Sequence, residues 1–366
     1  MSLYIAMSTW VFMLAATKPN TIVSNRYTAT FIFWSFFLLV TILVMLNYNK
    51  LLVGPEAISD LRIYTREFAW YSDLSFEESL SVGGKEWLFT LFTWILSQIT
   101  ENIYVYLTIV WLSITFILVR SLRLIFEPWK VVLVFFTYVN YPFFLSYVFN
   151  GMRQGFAMTF LLLALCLLVA NKKSRFLFYG CVLSAFLFHA STLPFALALI
   201  LLRKMKRLSL KTSVSIWVMS ALLFVTGLNR LLLAPVAARI ESLSGYLQDV
   251  VLAGYSGVNR LDFLLFSFVF IALGIFLYKR TAAQYQHKYR LILNAYILYN
   301  VVFVLFGFIA FSNRLSAFSW FLIPLLIWYP VLSIEKTKRP NSLIVLLILI
   351  SSVAIGSATG VPKFFF

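Results

Sequence analysis

NGMRQGFAMTFLLLALCLLVANKKSRFLFYGCVLSAFLFHAS, residues Asn150–Ser191, holds two apolar runs separated by Lys172, Lys173 and Arg175. Arg153-Gln154 opens the first run, and His189-Ala190-Ser191 interrupts the second. Charged and titratable groups are expensive at membrane depth, so those found there are functional candidates. The rest of the chain has the same texture. Of 366 residues, 62% are hydrophobic and 12% charged, with a mean hydropathy of +0.91. A soluble domain of that composition could not cover its surface. Apolar runs at roughly 3–17, 29–47, 103–119, 130–149, 153–170, 175–202, 212–233, 261–279, 290–311, 314–334 and 341–358 predict an all-α polytopic integral membrane protein. The expectation is a single membrane domain over 1–366 with about 11–12 transmembrane helices. The first run, Leu3–Ala16, has no basic segment before it and no small-residue cleavage pattern after it, and reads as a retained span.

A net charge of +17 invites a nucleic-acid reading, which its distribution removes. Lys and Arg gather in alternate connections, at Lys18/Arg26, Arg120/Arg123/Lys130, Lys172/Lys173/Arg175, Arg203–Lys211, Lys279–Arg290 and Lys336–Arg339. These hold 20 of the 30 basic residues and, among the acids, only Glu127 and Glu335. The positive-inside rule assigns them to the cytoplasm, with both termini outside. The excess charge is a topology signal. Cys166 and Cys181 read as small hydrophobes within helices. No metal-ligand spacing occurs, and His287 sits in a basic loop, so neither a metal nor a cofactor is expected.

Basic clusters flank both ends of 175–202, a run too long for one span and too short for two. A helix that rises from Arg175, breaks around His189–Pro194 and returns to Leu202 satisfies the length and the charges. Pro194 lacks an amide hydrogen and supports the break; one long tilted helix is the alternative. Ser191 reads as the cap of the returning helix. Two outer loops follow from this topology, at about 48–102 and about 234–260. The first holds eight of the thirteen acids. Within it Ile58, Leu61, Tyr64, Phe68 and Tyr71 recur at helical spacing over Ala57–Tyr71, as in an amphipathic helix. Trp87–Ile99 is apolar but too short to span. The second loop carries Arg239, Glu241, Asp249 and Arg260, with Arg230 and Asp262 just beyond its ends.

On the outer face this topology places Arg153 and Arg314, each in the first turn of a descending helix. A cation opposes the dipole there, whereas anions suit that helix end. Two arginines so placed suggest a phosphate-bearing ligand, held by forked guanidinium donors. Gln154 and Arg239 are further candidates for the same anion. His189, Asp60 and Glu86 could accept a proton from a hydroxyl. Each also has a bland reading: a packed histidine, or carboxylates paired with Arg62, Arg66 or Lys85.

Ser59-Asp60-Leu61 with Tyr64, Asn150-Gly151-Met152-Arg153-Gln154-Gly155-Phe156-Ala157, Phe188-His189-Ala190-Ser191 and Asn313-Arg314-Leu315-Ser316 occur in an order that resembles the EpsG family, a branch of the Wzy-like polysaccharide polymerases. The resemblance covers about residues 30–330. Where relatives often have Glu-Pro-Gly before an apolar run, this chain has Lys85-Glu86-Trp87. The resemblance implies a metal-independent glycosyltransferase of the bacterial inner membrane. Its partners would be undecaprenyl-diphosphate-linked oligosaccharides and membrane lipids, with a flippase and a chain-length regulator of the same pathway. The growing glycan would pass from its lipid diphosphate to the non-reducing end of the next lipid-linked unit at the periplasmic face. Arg153 and Arg314 would stabilise the departing diphosphate, with His189 or Asp60 as base. A flippase would share the helices and the cations, but should show internal repeats, which are absent. An O-antigen ligase, a membrane O-acyltransferase and a non-enzymatic assembly subunit are the other readings.

Overall fold

A computed structural model of the chain describes residues 26–53, 58–84, 86–205, 208–239, 259–333 and 342–364, together with Ser8, Val11 and Leu247. Among these residues every regular element is helical. Six helices are long and apolar enough to cross a membrane: Tyr27–Leu46, Ile103–Arg123, Met152–Val169, Leu261–Arg280, Ala283–Phe306 and Ser312–Leu332. Two bent pairs raise the number to as many as eight. Other expected crossings fall on the shorter helices Arg175–Phe188, Leu193–Lys204 and Ser342–Ala358. The expected span at 3–17 lies outside the described residues, apart from Ser8 and Val11.

Two expected spans prove to be bent. The run 130–149 divides into Pro128–Val139 and Pro142–Phe149, which meet at 72°. Pro142 has no amide hydrogen for the carbonyl a turn earlier, and its ring disfavours continuation. The side-chain amide of Asn140 donates to the carbonyl of Phe136 at 2.9 Å beside the break. The run 212–233 divides into Leu210–Thr226 and Leu228–Arg239, bent by 95°. Gly227 between them has φ +75°, a left-handed conformation that ends a helix readily only at glycine. The break at the end of Arg175–Phe188 falls at His189, which is extended (φ −155°, ψ 107°). A 3-10 turn, Ala190–Thr192, follows, and Leu193–Lys204 begins with Pro194 in its first turn. Thr192, and not Ser191, occupies the cap position of that helix, and its side chain makes no capping bond.

The chain forms two compact units. The first comprises Met1–Leu167, Ser174–His189 and Ile334–Phe366; the second comprises Leu168–Lys173 and Ala190–Ser333. In the first unit, Phe33, Phe36 and Phe37 meet Phe135 and Phe136, with ring centroids 5.8–6.4 Å apart. The indole N–H of Trp111 donates to the Thr41 hydroxyl at 3.1 Å, so neither group is left unpaired in the apolar interior. Gly155 lets its helix lie against the preceding segment: a Cβ there would stand 2.3 Å from the carbonyl oxygen of Tyr147.

The second unit is built around Ala283–Phe306. Its Asn300, fully buried, accepts from the Trp217 indole at 2.6 Å and donates to the hydroxyls of Ser267 (2.7 Å) and Ser319 (3.2 Å). The Trp320 indole also donates to Ser267, at 2.9 Å. In a bilayer, where van der Waals packing alone discriminates weakly between helix pairings, such a polar knot fixes register. Beside the bend at Gly227, the Asn259 amide donates to the carbonyl of Phe224 (2.6 Å) and the Asn229 amide to that of Val304 (3.1 Å).

Candidate functional site

In the first unit, four helix segments deliver charged groups to one place. Asp60 and Glu67 ride on the Ser59–Tyr71 helix, whose Leu61, Tyr64, Phe68 and Tyr71 are buried. Phe68 stacks on Tyr106 of the Ile103–Arg123 helix with centroids 4.4 Å apart, which anchors the amphipathic helix on its apolar side. Glu86 is the residue before Trp87–Ile99. Its side chain makes no cap bond to its own helix and is therefore available to other groups. Arg153 stands in the first turn of Met152–Val169, and His189 ends Arg175–Phe188.

The Arg153 guanidinium lies between two carboxylates. Nη1 donates to Glu86 Oε2 at 2.7 Å, and Nη2 donates to both oxygens of Glu67, at 2.9 and 2.7 Å. His189 Nδ1 meets the other Glu86 oxygen at 2.5 Å. All four side chains are largely shielded, with 14–22% of each exposed. The rings of Phe89 and Tyr64 underlie the guanidinium carbon at 5.1 and 5.6 Å, a cation–π arrangement that holds its plane. Arg153 Nε is buried and has no acceptor among the described residues. The two carboxylates also complement the positive end of the Met152–Val169 helix, an end that Arg153 alone would oppose.

Burial pushes the Glu86 carboxyl upward. The hydrogen bond and charge of His189, joined by Arg153, outweigh it and bring the group down to about 2. Glu86 is thus ionised at neutral pH. The 2.5 Å contact then needs a proton on the ring nitrogen, so Nδ1–H donates to Glu86. This fixes the tautomer and directs proton exchange to Nε2, as in other carboxylate–histidine pairs. Burial raises the Tyr64 hydroxyl well above its ordinary range, against the pull of Arg153, so it stays protonated.

The structure brings Arg153, Glu86 and His189 together and adds Glu67. It holds Asp60 close by: the Asp60 backbone N–H, one of the first-turn amides without a helical partner, donates to the Asn150 side chain at 3.3 Å. Gln154 is buried beside Arg153 in sequence. Arg314 and Arg239 belong to the second unit. Arg314 lies over the Phe311 ring at 5.2 Å, and Arg239 is exposed at the end of its helix. Lys85, Glu241 and Asp249 lie outside the described residues. Glu67 escaped the sequence reading. Its signal was position: it comes three residues after Tyr64 and immediately before Phe68, at the border of the buried face, where a carboxylate needs a partner.

A family model described as the EpsG family covers residues 36–359. No curated protein and no solved structure matches.

Proposed function

Because the chain belongs to the EpsG family, a Wzy-like polysaccharide polymerase family, we propose that it elongates a bacterial envelope glycan with the Arg153–Glu86–His189–Glu67 cluster as its reacting centre. The donor is a growing glycan on undecaprenyl diphosphate, and the acceptor is the non-reducing end of the next lipid-linked repeat unit. The reaction takes place at the periplasmic face of the inner membrane. The observation that carries this reading is the 2.5 Å contact of His189 with a Glu86 fixed in turn by Arg153.

In the transfer step the acceptor hydroxyl oxygen forms a bond to the donor's anomeric carbon. The bond from that carbon to the diphosphate oxygen breaks, and its electron pair leaves with the diphosphate. His189 Nε2 takes the hydroxyl proton while Nδ1–H stays on Glu86, whose ionised carboxylate stabilises the imidazolium that forms. Arg153 is a positioning residue in this scheme. Nη1 and Nη2 already donate to carboxylates, and a diphosphate brought there would also meet Glu67 and Glu86. Within the first unit, Gln154, next to Arg153 in sequence, is the candidate contact for the departing diphosphate. Asp60, two helical turns before Glu67, is the second candidate base.

Gene deletion followed by complementation tests the proposal. The deletion should leave surface glycans of one repeat unit, and His189→Ala and Glu86→Gln should restore no polymer despite wild-type protein levels. Loss of all surface repeat units on deletion would point to translocation instead, and polymer of normal length from His189→Ala would remove the histidine from the mechanism.

A further inference from the structure

Away from that cluster, the first unit has a groove of about 890 Å³ bounded by Tyr27 and Trp34 on one spanning helix and by Arg120 and Arg123 on another. The two arginines are three residues apart in the last turn of Ile103–Arg123, so they lie side by side. The Arg123 guanidinium sits over the rings of Phe33 and Trp34, at 5.6 and 5.9 Å. Among the described residues, neither arginine has a carboxylate partner. The acid nearest in sequence, Glu127, is engaged by Lys130 at 3.6 Å and by the Trp129 indole at 3.2 Å. The mouth of the groove therefore holds two positive charges that nothing in the described chain neutralises.

The groove opens onto an apolar track. Tyr27, Phe31, Trp34, Leu38, Ile42 and Met45 follow one another at three- and four-residue steps along the Arg26–Leu46 helix, and all are exposed, from 42% at Trp34 to 83% at Tyr27. Residues at that spacing share one face. A paired cationic head with an aromatic rim and an apolar stripe below it matches an amphiphile, whereas a free anion would use only the head. We propose that this groove binds a glycerophospholipid of net negative charge. Its phosphodiester would lie between Arg120 and Arg123, and an acyl chain would lie along Phe31, Trp34 and Leu38. Forked guanidinium donors and interfacial aromatic rings are the groups that recognise such a headgroup.

The test uses the full-length protein in non-ionic detergent, stripped of lipid and titrated separately with phosphatidylglycerol, phosphatidylcholine and inorganic phosphate, with bound lipid counted by mass spectrometry. Phosphatidylglycerol should bind saturably and outcompete phosphatidylcholine, and inorganic phosphate should not displace it. Arg120→Gln and Arg123→Gln should each weaken phosphatidylglycerol binding roughly fivefold. Arg120 is exposed, so the Arg120→Gln variant keeps the test sound if Arg123→Gln folds poorly. Equal retention of the two lipids, or unchanged binding in Arg120→Gln, would mean annular contact only and would overturn the proposal. Displacement by inorganic phosphate would overturn the lipid as the ligand. Neither arginine belongs to the Glu86–His189 cluster, so either result leaves the polymerase reading to its own test.

Discussion

Arg153 has three uncommon neighbours for a residue at a helix start in a membrane protein: two carboxylates and a histidine joined to one of them. The forked pairing makes its chemistry specific. A lysine carries the charge but has a single nitrogen, and cannot serve both Glu67 oxygens from one nitrogen and Glu86 from a second in the same plane. Arg153→Lys should therefore lose chain elongation almost as fully as Arg153→Ala, measured as polymer length on a glycan gel. The acidic partner should matter as much. Glu86→Gln retains the size of the side chain but removes the charge that steadies an imidazolium, and elongation should fall by about 10²–10⁴-fold. The pH response of Glu86 has a definite sign. Its folded value, about 2, lies below the ordinary carboxyl value of 4.5. Its stabilising contribution is then complete above the ordinary value and disappears as pH falls through about 2. The thermal unfolding midpoint in detergent should thus drop less between about pH 5 and pH 3 in Glu86→Gln than in the wild-type protein. An equal drop in both would assign the acid sensitivity to other groups.

At the scale of helices, small residues and breaks set where these groups stand. A methyl group at Gly155 would meet backbone, which cannot swing aside, two residues after Arg153. Gly155→Ala should destabilise by about 1–3 kcal/mol and should depress elongation through displacement of Arg153, read as a lower unfolding midpoint together with shorter polymer. The polar knot of the second unit gives a contrasting case. Asn300→Leu leaves the Trp217 indole without its acceptor and the Ser267 and Ser319 hydroxyls without the amide that donates to them, so stability should fall by about 1–3 kcal/mol. Some helix ends were legible in the sequence. The basic clusters around 175–202 together with Pro194 marked the break at His189. The bends at Asn140–Tyr141 and Gly227 were not read. A proline or glycine inside an apolar run permits a break without requiring one, and the outcome depends on whether neighbours accept the freed backbone groups. At the first bend the Tyr141 N–H satisfies the Tyr138 carbonyl that Pro142 cannot serve, at 2.9 Å. At the second, Asn259 satisfies the Phe224 carbonyl from 35 residues away.

For the molecule as a whole, the family and the many apolar helices make this a multi-pass membrane protein of polysaccharide biosynthesis. The proposed orientation can be tested directly. Cysteine placed at Leu193, an exposed position beside the break, on a background without Cys166 and Cys181 should react with an impermeant reagent added from outside. Reaction only from the cytoplasmic side would place the His189 break, and the cluster with it, on the wrong face for the proposed chemistry. Composition, periodicity and charge distribution were enough to establish the membrane class, the helical fold and most spans, because burial in lipid imposes one rule on every segment and that rule is local. Motif order was enough to point to the family, and it drew attention to Arg153, Glu86 and His189 one at a time. Only the tertiary structure decided that they share a single cluster and that Glu67 completes it. Glu67 and Arg153 are 86 residues apart, on different helices and in no common motif. Their meeting follows from the packing of an amphipathic helix against a spanning one, and the cost of leaving either charge buried alone holds them there.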